Sequence, residues 1–193
     1  MKRICVFCGS SPGKSPAYGA AARKLGQVLA KRGLSLVYGG SKVGLMGEVA
    51  EAVLAAKGEV IGVIPGPLAN KELAHRGLSD LRVVDSMHER KALMAELSDG
   101  FIALPGGMGT FEEFFEITTW AQLGMHSKPC GLLNIAHYYD KLIQFLDQAM
   151  QECFIKPAHR ALMMVASDAD SLLDRFENHR PALVEKWIDR RTT

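Results

Sequence analysis

The fold is indicated most directly by one stretch, Phe101-Ile102-Ala103-Leu104-Pro105-Gly106-Gly107-Met108-Gly109-Thr110-Phe111-Glu112-Glu113. Its first four residues are apolar, which suits a short strand that is buried on both faces. Three glycines then allow a tight turn, and an amphipathic pattern over residues 111–123 predicts a helix that begins near Thr110. A buried strand, a glycine-rich turn and a helix are together typical of a parallel α/β sheet.

Short apolar runs and longer amphipathic runs alternate along most of the chain. Strands are predicted at residues 4–8, 34–38, 60–64, 81–84, 101–104 and 130–133, and helices at residues 17–31, 45–56, 87–97, 111–123 and 139–152. A less regular tail, about residues 155–193, contains a further helix at 171–177. Apolar strands that alternate with helices require a parallel sheet covered on both sides. We therefore expect one Rossmann-like, doubly wound α/β domain over residues 1–193.

Composition and charge argue against several classes of function. Hydrophobic residues make up 48% of the 193-residue chain, which is enough for a packed core. The net charge of +2 gives no basic surface for a nucleic-acid partner. No window reaches the ~20 apolar residues of a membrane span, and residues 1–9 lack the apolar stretch of a secretory signal. We expect a cytoplasmic protein with no nucleic-acid or membrane partner.

The four cysteines and six histidines do not predict a metal or redox centre. Cys5 and Cys8 form a C-x-x-C pair, but they lie inside a predicted strand rather than at a helix start, where a thiolate would be stabilised. One such pair cannot complete a four-ligand zinc site, and the histidines show no H-E-x-x-H spacing. We expect structural cysteines, with no metal and no cofactor.

Two other glycine-rich stretches follow predicted strands, but neither completes a known fingerprint. Residues 9–15 nearly match the phosphate-binding loop G-x-x-x-x-G-K-[ST], yet Cys8 replaces its first glycine and Pro16 interrupts the start of the helix. A connecting turn is favoured there, and a pocket-lining role for its first two residues stays open. Residues 39–47 space their glycines one residue too widely for the dinucleotide fingerprint. A tight turn with close helix packing and a close approach to a nucleotide are equally acceptable there.

The glycine loop at residues 105–109 is more specific, because it joins a buried strand to a helix start. Unpaired N–H groups and the positive end of the helix dipole form an anion site at such a junction. A ligand-free alternative exists, since Thr110 and Glu113 have the spacing of a capping box. A cap does not require three glycines, so we favour a phosphate site.

Arg90 lies on the apolar stripe of the predicted helix at residues 87–97, between its first residue and Met94. A buried unpaired charge is costly, so this arginine must reach solvent, form a structural ion pair or meet an anion. Because the helix leads into the strand that carries the glycine loop, Arg90 could face the same cleft. The helix also opens with Ser86-x-x-Glu89, a second match to the capping box.

Together these motifs resemble the Lonely Guy family of cytokinin riboside 5′-monophosphate phosphoribohydrolases. The resemblance rests on residues 87–91 (MHERK) and 105–113 (PGGMGTFEE), is extended by motifs at 5–11, 38–47 and 119–124, and covers roughly residues 2–154. It implies a Rossmann-like fold and a homodimer. It also implies hydrolysis of the N-glycosidic bond of a nucleoside 5′-monophosphate, either AMP or an N6-isoprenylated AMP, to free base and ribose 5-phosphate.

The resemblance also implies roles for single residues. Arg90 and Glu113 match the essential catalytic pair of the family. Substrate contacts are implied at Glu72, Lys91, Gly107, Met108, Gly109, Thr110, Phe111, Glu112 and Thr119. We expect Glu113 to stabilise positive charge on the ribose or to orient water, with the helix dipole favouring its ionised form. Met46, His88 and Met125 are candidates for the lining of the base pocket.

Three other functions remain to be weighed against the hydrolase. Family members have also been labelled lysine decarboxylases, but no Schiff-base lysine with supporting groups can be identified in the sequence. Rossmann-like proteins with similar glycine loops bind molybdenum cofactor, so a non-catalytic nucleotide or molybdenum-cofactor carrier is the alternative hypothesis. An NAD-dependent oxidoreductase is disfavoured because both dinucleotide fingerprints fail.

Overall fold

The computed structural model describes residues 1–69 and 74–180 as alternating strands and helices. The strands are β1 (Arg3–Phe7), β2 (Ser35–Tyr38), β3 (Val60–Pro65), β4 (Asp80–Val84), β5 (Gly100–Ala103), β6 (Cys130–Leu133) and β7 (Met163–Ala166). The helices are α1 (Pro16–Lys31), α2 (Gly44–Ala55), α3 (Gly66–Leu68), α4 (Met87–Leu97), α5 (Met108–Gln122), α6 (Asp140–Gln151), α7 (Pro157–Arg160) and α8 (Ala169–Glu177). A 3-10 turn, Ile135–His137, precedes α6.

The seven strands form one parallel sheet in the order β4-β3-β2-β1-β5-β6-β7. The chain first builds the sheet outward from β1 to β4, and then returns to the other side of β1 with β5. This reversal separates the carboxyl ends of β1 and β5, which is where open α/β sheets bind ligands. The predicted Rossmann-like, doubly wound fold is confirmed.

Each face of the sheet is covered by its own layer of helices. Alternate residues of a strand point to opposite faces. Accordingly, Ile4 and Val6 pack with the layer formed by α1, α2 and α8, whereas Cys5 and Phe7 pack with α4, α5 and α6. All four side chains are at most 5% exposed. The two apolar clusters fix β1 at the centre of the molecule and hold both helix layers against it.

Side-chain caps fix the starts of several helices. Ser15 accepts a hydrogen bond from the Ala17 N–H at the start of α1, and Ser86 accepts one from the Glu89 N–H at the start of α4. The Glu89 carboxylate accepts from the Asp85 N–H rather than from Ser86 itself. The predicted box at α4 is therefore present, with its second bond displaced by one residue.

Among the described helices, none has both the length and the apolar character needed to cross a bilayer.

The structure adds elements that the sequence pattern did not predict. Residues 163–166 form β7, which pairs with β6 from Cys130 to Leu133. Only Met163 of this edge strand is buried, so its pattern is weak. Helix α5 begins at Met108, earlier than predicted, because Gly107 supplies its N-cap. The described part of the tail thus completes the sheet and the helix layer beside it.

Candidate active site

A cavity of about 270 Å³ opens at the carboxyl ends of β1 and β5. Its wall is formed by Val6, Phe7, Cys8, Gly9, Ser10, Gly39, Met46, Arg90, Met94, Gly107, Met108, Gly109, Thr110 and Glu113. These residues come from the ends of β1 and β2 and the turns after them, from α2 and α4, and from the first two turns of α5. The cavity therefore lies where the order of the sheet reverses, as expected for a ligand site in this fold.

The glycine loop forms one side of this cavity. The first intrahelical bond of α5 runs from the Phe111 N–H to the Gly107 carbonyl at 3.1 Å. The earlier N–H groups, those of Met108, Gly109 and Thr110, therefore have no carbonyl within the helix to bind. A Cβ atom built on Gly107 or Gly109 would meet no atom within 4 Å, so both residues border open space. This backbone surface is suited to an anion such as a phosphate.

Gly106 has a different role from its neighbours. A Cβ atom at this position would collide with the side chain of Thr110 and would come within 2.8 Å of the Gly9 nitrogen. The loop is also tied to β1 by a bond from the Gly9 N–H to the Pro105 carbonyl at 3.1 Å. Gly106 is thus required for close packing between the two loops, whereas Gly107 and Gly109 leave room for a ligand.

The capping-box interpretation of the α5 start is wrong. Gly107 is the N-cap residue and no side chain caps the helix. Thr110 lies inside the first turn and is 3% exposed. Glu113 turns away from the helix start and forms an ion pair with Arg90. The spacing of Thr110 and Glu113 therefore does not mark a cap in this structure.

Arg90 and Glu113 form a buried ion pair at the floor of the cavity. The Nη2 atom of Arg90 lies 3.3 Å from Oε1 of Glu113, and the two side chains are 11% and 10% exposed. Nη1 of Arg90 contacts the Met87 sulfur at 3.8 Å. Within the described part of the chain, the buried Nε of Arg90 has no hydrogen-bond partner. The guanidinium thus keeps one N–H donor that no described group of the protein accepts.

Gly39, at the end of β2, makes room for this arginine. A Cβ atom on Gly39 would collide with Nη2 of Arg90 and would lie 3.3 Å from the sulfur of Met46. Of the two interpretations left open for residues 39–47, close packing against a helix applies at Gly39, because the neighbouring group is the arginine of α4. Gly44 and Gly47 instead serve tight packing, because added Cβ atoms would strike the Ser10 and Lys42 backbones.

Burial raises the pKa of Glu113 above its ordinary value, because a charged carboxylate is poorly solvated in this position. The neighbouring Arg90 lowers the pKa and offsets part of this effect, while Glu112 raises it further. The sequence had suggested that the helix dipole would favour the ionised form. Glu113 lies in the second turn of α5, beyond the first turn where the dipole acts most strongly, so burial dominates.

The cysteines beside the site are structural, as predicted. Cys5 and Cys8 are free and buried, and they pack in the two different core clusters on opposite faces of β1. Burial, assisted by the charge of Glu113, raises the pKa of both thiols. They are therefore protonated and unreactive, although Cys8 reaches the cavity wall.

Several implied substrate contacts are placed outside this cavity. Phe111 packs into the core with its ring 6.3 Å from that of Tyr139. Lys91 joins α4 to α5 through ion pairs with Glu112 and, at 3.0 Å, with Glu116. Thr119 lies on the exposed side of α5. Glu72 falls outside the described residues.

The remaining candidate residues fall into two groups, those that line the cavity and those that lie outside its wall. Met108 is 83% exposed and lines the mouth of the cavity, together with Gly107, Gly109 and Thr110. Met46 also lines the cavity, whereas His88 and Met125 are exposed and stand apart from its wall. Met94, which is 1% exposed, lines the floor and was assigned only to the core by the sequence pattern. No local sequence signal distinguishes it from other core methionines.

Comparison with known proteins identifies the family. A family model described as "possible lysine decarboxylase" matches residues 46–176, which is more than half of the chain. A probable cytokinin riboside 5′-monophosphate phosphoribohydrolase from Oryza sativa subsp. japonica is 54% identical over 181 residues, covering 94% of this chain and 80% of the relative. The chain belongs to the Lonely Guy family.

Other relatives of this Lonely Guy chain come from plants and bacteria. One cytokinin riboside 5′-monophosphate phosphoribohydrolase of Arabidopsis thaliana is 51% identical, covering 94% of this chain and 79% of the relative. The one from Rhodococcoides fascians is 51% identical, covering 89% and 87%. None of the described residues in the cavity wall of the Lonely Guy chain is a lysine.

Solved structures extend the similarity at the level of the fold. The molybdenum cofactor binding protein from Rippkaea orientalis superposes with a TM-score of 0.70 at 22% identity, covering 92% of the Lonely Guy chain and 97% of that protein. The Moco carrier protein from Chlamydomonas reinhardtii gives a TM-score of 0.68 at 23% identity, covering 92% and 96%. At this identity the likeness shows a common fold and nothing about the ligand.

Proposed function

We propose that the chain hydrolyses the N-glycosidic bond of an adenine nucleoside 5′-monophosphate, either AMP or its N6-isoprenylated form, to free base and ribose 5-phosphate. One observation carries this proposal: the buried Arg90–Glu113 pair faces the same cavity as the free N–H groups at the start of α5. An anion site and a carboxylate in one cavity match the two ends of a ribose 5-phosphate unit. The named activity of relatives at about 50% identity supports the same reaction.

The 5′-phosphate would bind at the first turn of α5. Residues 107–110 contribute N–H groups there, and the open space beside Gly107 and Gly109 admits the phosphate oxygens. The ribose then lies over the floor of the cavity, next to Glu113 and Arg90. Met46 and Met94 offer apolar surface to the base on the side of β2 and α4.

Glu113 would act on the sugar and on the attacking water. As the bond from C1′ to the base breaks, its electron pair leaves with the base and positive charge develops on the ribose. The Glu113 carboxylate stabilises this charge and accepts a proton from the water that adds to C1′. The departing base takes up a proton from solvent, and Glu113 then returns its own proton to solvent. A raised pKa suits this role, because it makes Glu113 a stronger base than an ordinary glutamate.

Arg90 would position both the carboxylate and the nucleotide. It holds Glu113 through Nη2, and its buried Nε–H is unpaired in the described chain and available to the substrate. The other contacts that the family resemblance implies, at Glu72, Lys91, Phe111, Glu112 and Thr119, we propose to act from the periphery of this arrangement. We further propose a cytoplasmic homodimer without a nucleic-acid or membrane partner, which light scattering and cell fractionation can test.

A release assay tests the function. The purified protein is incubated with AMP, isopentenyl-AMP, GMP and CMP, and the free base is followed by chromatography, with Glu113→Gln as the control for contaminating activity. We expect release from the two adenine nucleotides and at most slow release from CMP. Binding of AMP without release of adenine, with the wild type indistinguishable from Glu113→Gln, would contradict the proposal and favour a carrier.

A further inference from the structure

Three consecutive carbonyl groups of the glycine loop are each held by a hydrogen bond from elsewhere in the chain. The pairs are the Tyr139 hydroxyl with the Leu104 carbonyl at 2.7 Å, the Gly9 N–H with the Pro105 carbonyl at 3.1 Å, and the Tyr138 hydroxyl with the Gly106 carbonyl. An anion site needs N–H groups directed at the ligand and carbonyl oxygens directed away from it. The three bonds keep these carbonyls occupied outside the anion site.

The bond to the Gly106 carbonyl has the most direct consequence. The peptide that joins Gly106 to Gly107 is planar and trans, so its N–H points opposite to its C=O. Tyr138 holds the C=O from a neighbouring cavity of about 200 Å³, which leaves the Gly107 N–H directed to the other side. Because both flanking residues are glycines, little else in the backbone prevents this peptide from rotating.

The turn before α6 fixes the position of Tyr138. Ala136 and His137 both have left-handed backbones, with φ of 49° and 61°, which non-glycine residues rarely adopt. Asp140 holds this turn through Asn134 at 2.7 Å and His137 at 3.0 Å, and the Tyr139 N–H binds Asn134 at 2.7 Å. Such backbone strain persists only where surrounding contacts enforce it, and it is frequent near functional sites.

The packing of the core does not account for Tyr138. Its side chain is 37% exposed, whereas the adjacent Tyr139 is 1% exposed and belongs to the core. The ring of Tyr18 meets the ring of Tyr138 edge-on, with centroids 5.7 Å apart, and restricts its orientation. A partly exposed side chain on a strained turn is thus held in one direction, toward the Gly106 carbonyl.

We propose that Tyr138 is a positioning residue for the phosphate site, which acts by fixing the Gly106–Gly107 peptide with its N–H toward the 5′-phosphate. This inference rests on the proposed function, because it assigns a task within the same site. Tyr138 does not act on the substrate directly, since its hydroxyl proton is donated to Gly106. Without the hydroxyl, the peptide can rotate and present a carbonyl oxygen to the phosphate, which weakens binding.

The test compares Tyr138→Phe with Tyr18→Phe. Both variants lose one hydroxyl from the wall of the same neighbouring cavity, but the Tyr18 hydroxyl makes no hydrogen bond to the glycine loop, all of which the structure describes. Tyr138→Phe is expected to raise KM for AMP and the inhibition constant of ribose 5-phosphate by the same factor, about three- to tenfold for one lost hydrogen bond. The kcat changes less than twofold, because phosphate binding is weakened equally in ground state and transition state. Tyr18→Phe leaves all three constants unchanged.

Direct binding separates this inference from the proposed function. Calorimetric titration with ribose 5-phosphate and with inorganic phosphate is expected to show weaker binding to Tyr138→Phe than to the wild type, at equal melting temperatures. If the wild type releases no base but this difference persists, the proposed hydrolysis fails and the positioning role stands. Unchanged KM and unchanged binding in Tyr138→Phe, or a lowered melting temperature with unchanged binding, would overturn the positioning role.

Discussion

Replacement of Glu113 by Gln tests the charge pair most stringently, since it removes the charge and keeps the shape. At the observed 3.3 Å between Arg90 Nη2 and Glu113 Oε1, the attraction is about 5 kcal/mol for an effective dielectric constant of about 20. Breaking a buried pair typically costs about 3–5 kcal/mol of stability, because one charge is left uncompensated. The raised pKa of Glu113 shows that burial already opposes its charge. The folded protein thus favours a neutral side chain at this position, so Glu113→Gln should be no less stable than the wild type. Arg90→Met, which leaves the buried carboxylate uncompensated, should lose about 3 kcal/mol.

The double variant Arg90→Met/Glu113→Gln separates stability from catalysis. Removing both charges leaves no buried ion, and such replacements are often neutral or stabilising. Its free energy of unfolding should therefore return close to that of the wild type. Turnover should not return, because a group that stabilises developing charge contributes roughly 3–4 kcal/mol, or about 10²- to 10³-fold in kcat. Each single variant and the double variant should all stay at that low level.

Urea denaturation measures the free energy of unfolding, and the adenine-release assay measures turnover. Stability should fall in Arg90→Met and recover in the double variant, while activity stays low in both and in Glu113→Gln. A folded Glu113→Gln protein that releases adenine at nearly the normal rate would refute the assignment. In that case the pair would be a structural salt bridge, and the carboxylate of the reaction would have to be sought elsewhere.

Three further outcomes are expected. Gly106→Ala should lower stability by about 1–3 kcal/mol, because its Cβ collides with Thr110. Gly109→Ala should keep the melting temperature of the wild type and raise KM for AMP. Equal melting temperatures of the two variants would contradict this distinction. Because burial raises the pKa of Glu113, kcat/KM should begin to fall with decreasing pH at values above the ordinary pKa of 4.5. Folding stability should rise as pH falls through the raised pKa, and Glu113→Gln should lack this increase. A decrease of kcat/KM centred at pH 4.5 would contradict the raised pKa. Ellman's reagent should titrate one thiol per native chain, that of exposed Cys153, and all four after denaturation; a second fast thiol would show that the strand cysteines are accessible.

The fold could be predicted because its signals are local and repeated. Each buried strand of the interior, such as Val60–Pro65, is apolar on both faces, and the amphipathic helices between strands leave few alternatives to a doubly wound sheet. Edge strand β7 escaped detection because only one of its four residues is buried, so neither a continuous apolar run nor a clear alternation marks it. Its place is set by pairing with β6, which is a tertiary property.

The site could be predicted only in part, because its residues meet across the sheet. A charge on an apolar stripe singled out Arg90 without knowledge of its partner. Glu113 stayed ambiguous, since the spacing of Thr110 and Glu113 fits a cap as well as a catalytic group, and only the contact with Arg90 distinguishes the two. Gly39 and Tyr138 act on residues far along the chain, and no sequence spacing encodes those contacts.

The arrangement also explains how one fold can serve different ligands. The anion site at the start of α5 consists of backbone, so any chain with this sheet order and glycine loop can form it. The molybdenum-cofactor proteins that share the fold at 22–23% identity therefore need not share the reaction. What distinguishes this chain is contributed by side chains that reach the same cavity from another helix. Arg90 crosses from α4 to Glu113 on α5, over a gap that Gly39 keeps open at the end of β2. Since the backbone alone could bind a phosphate, we propose that the cost of burying this ion pair is offset by a role in the chemistry on the sugar.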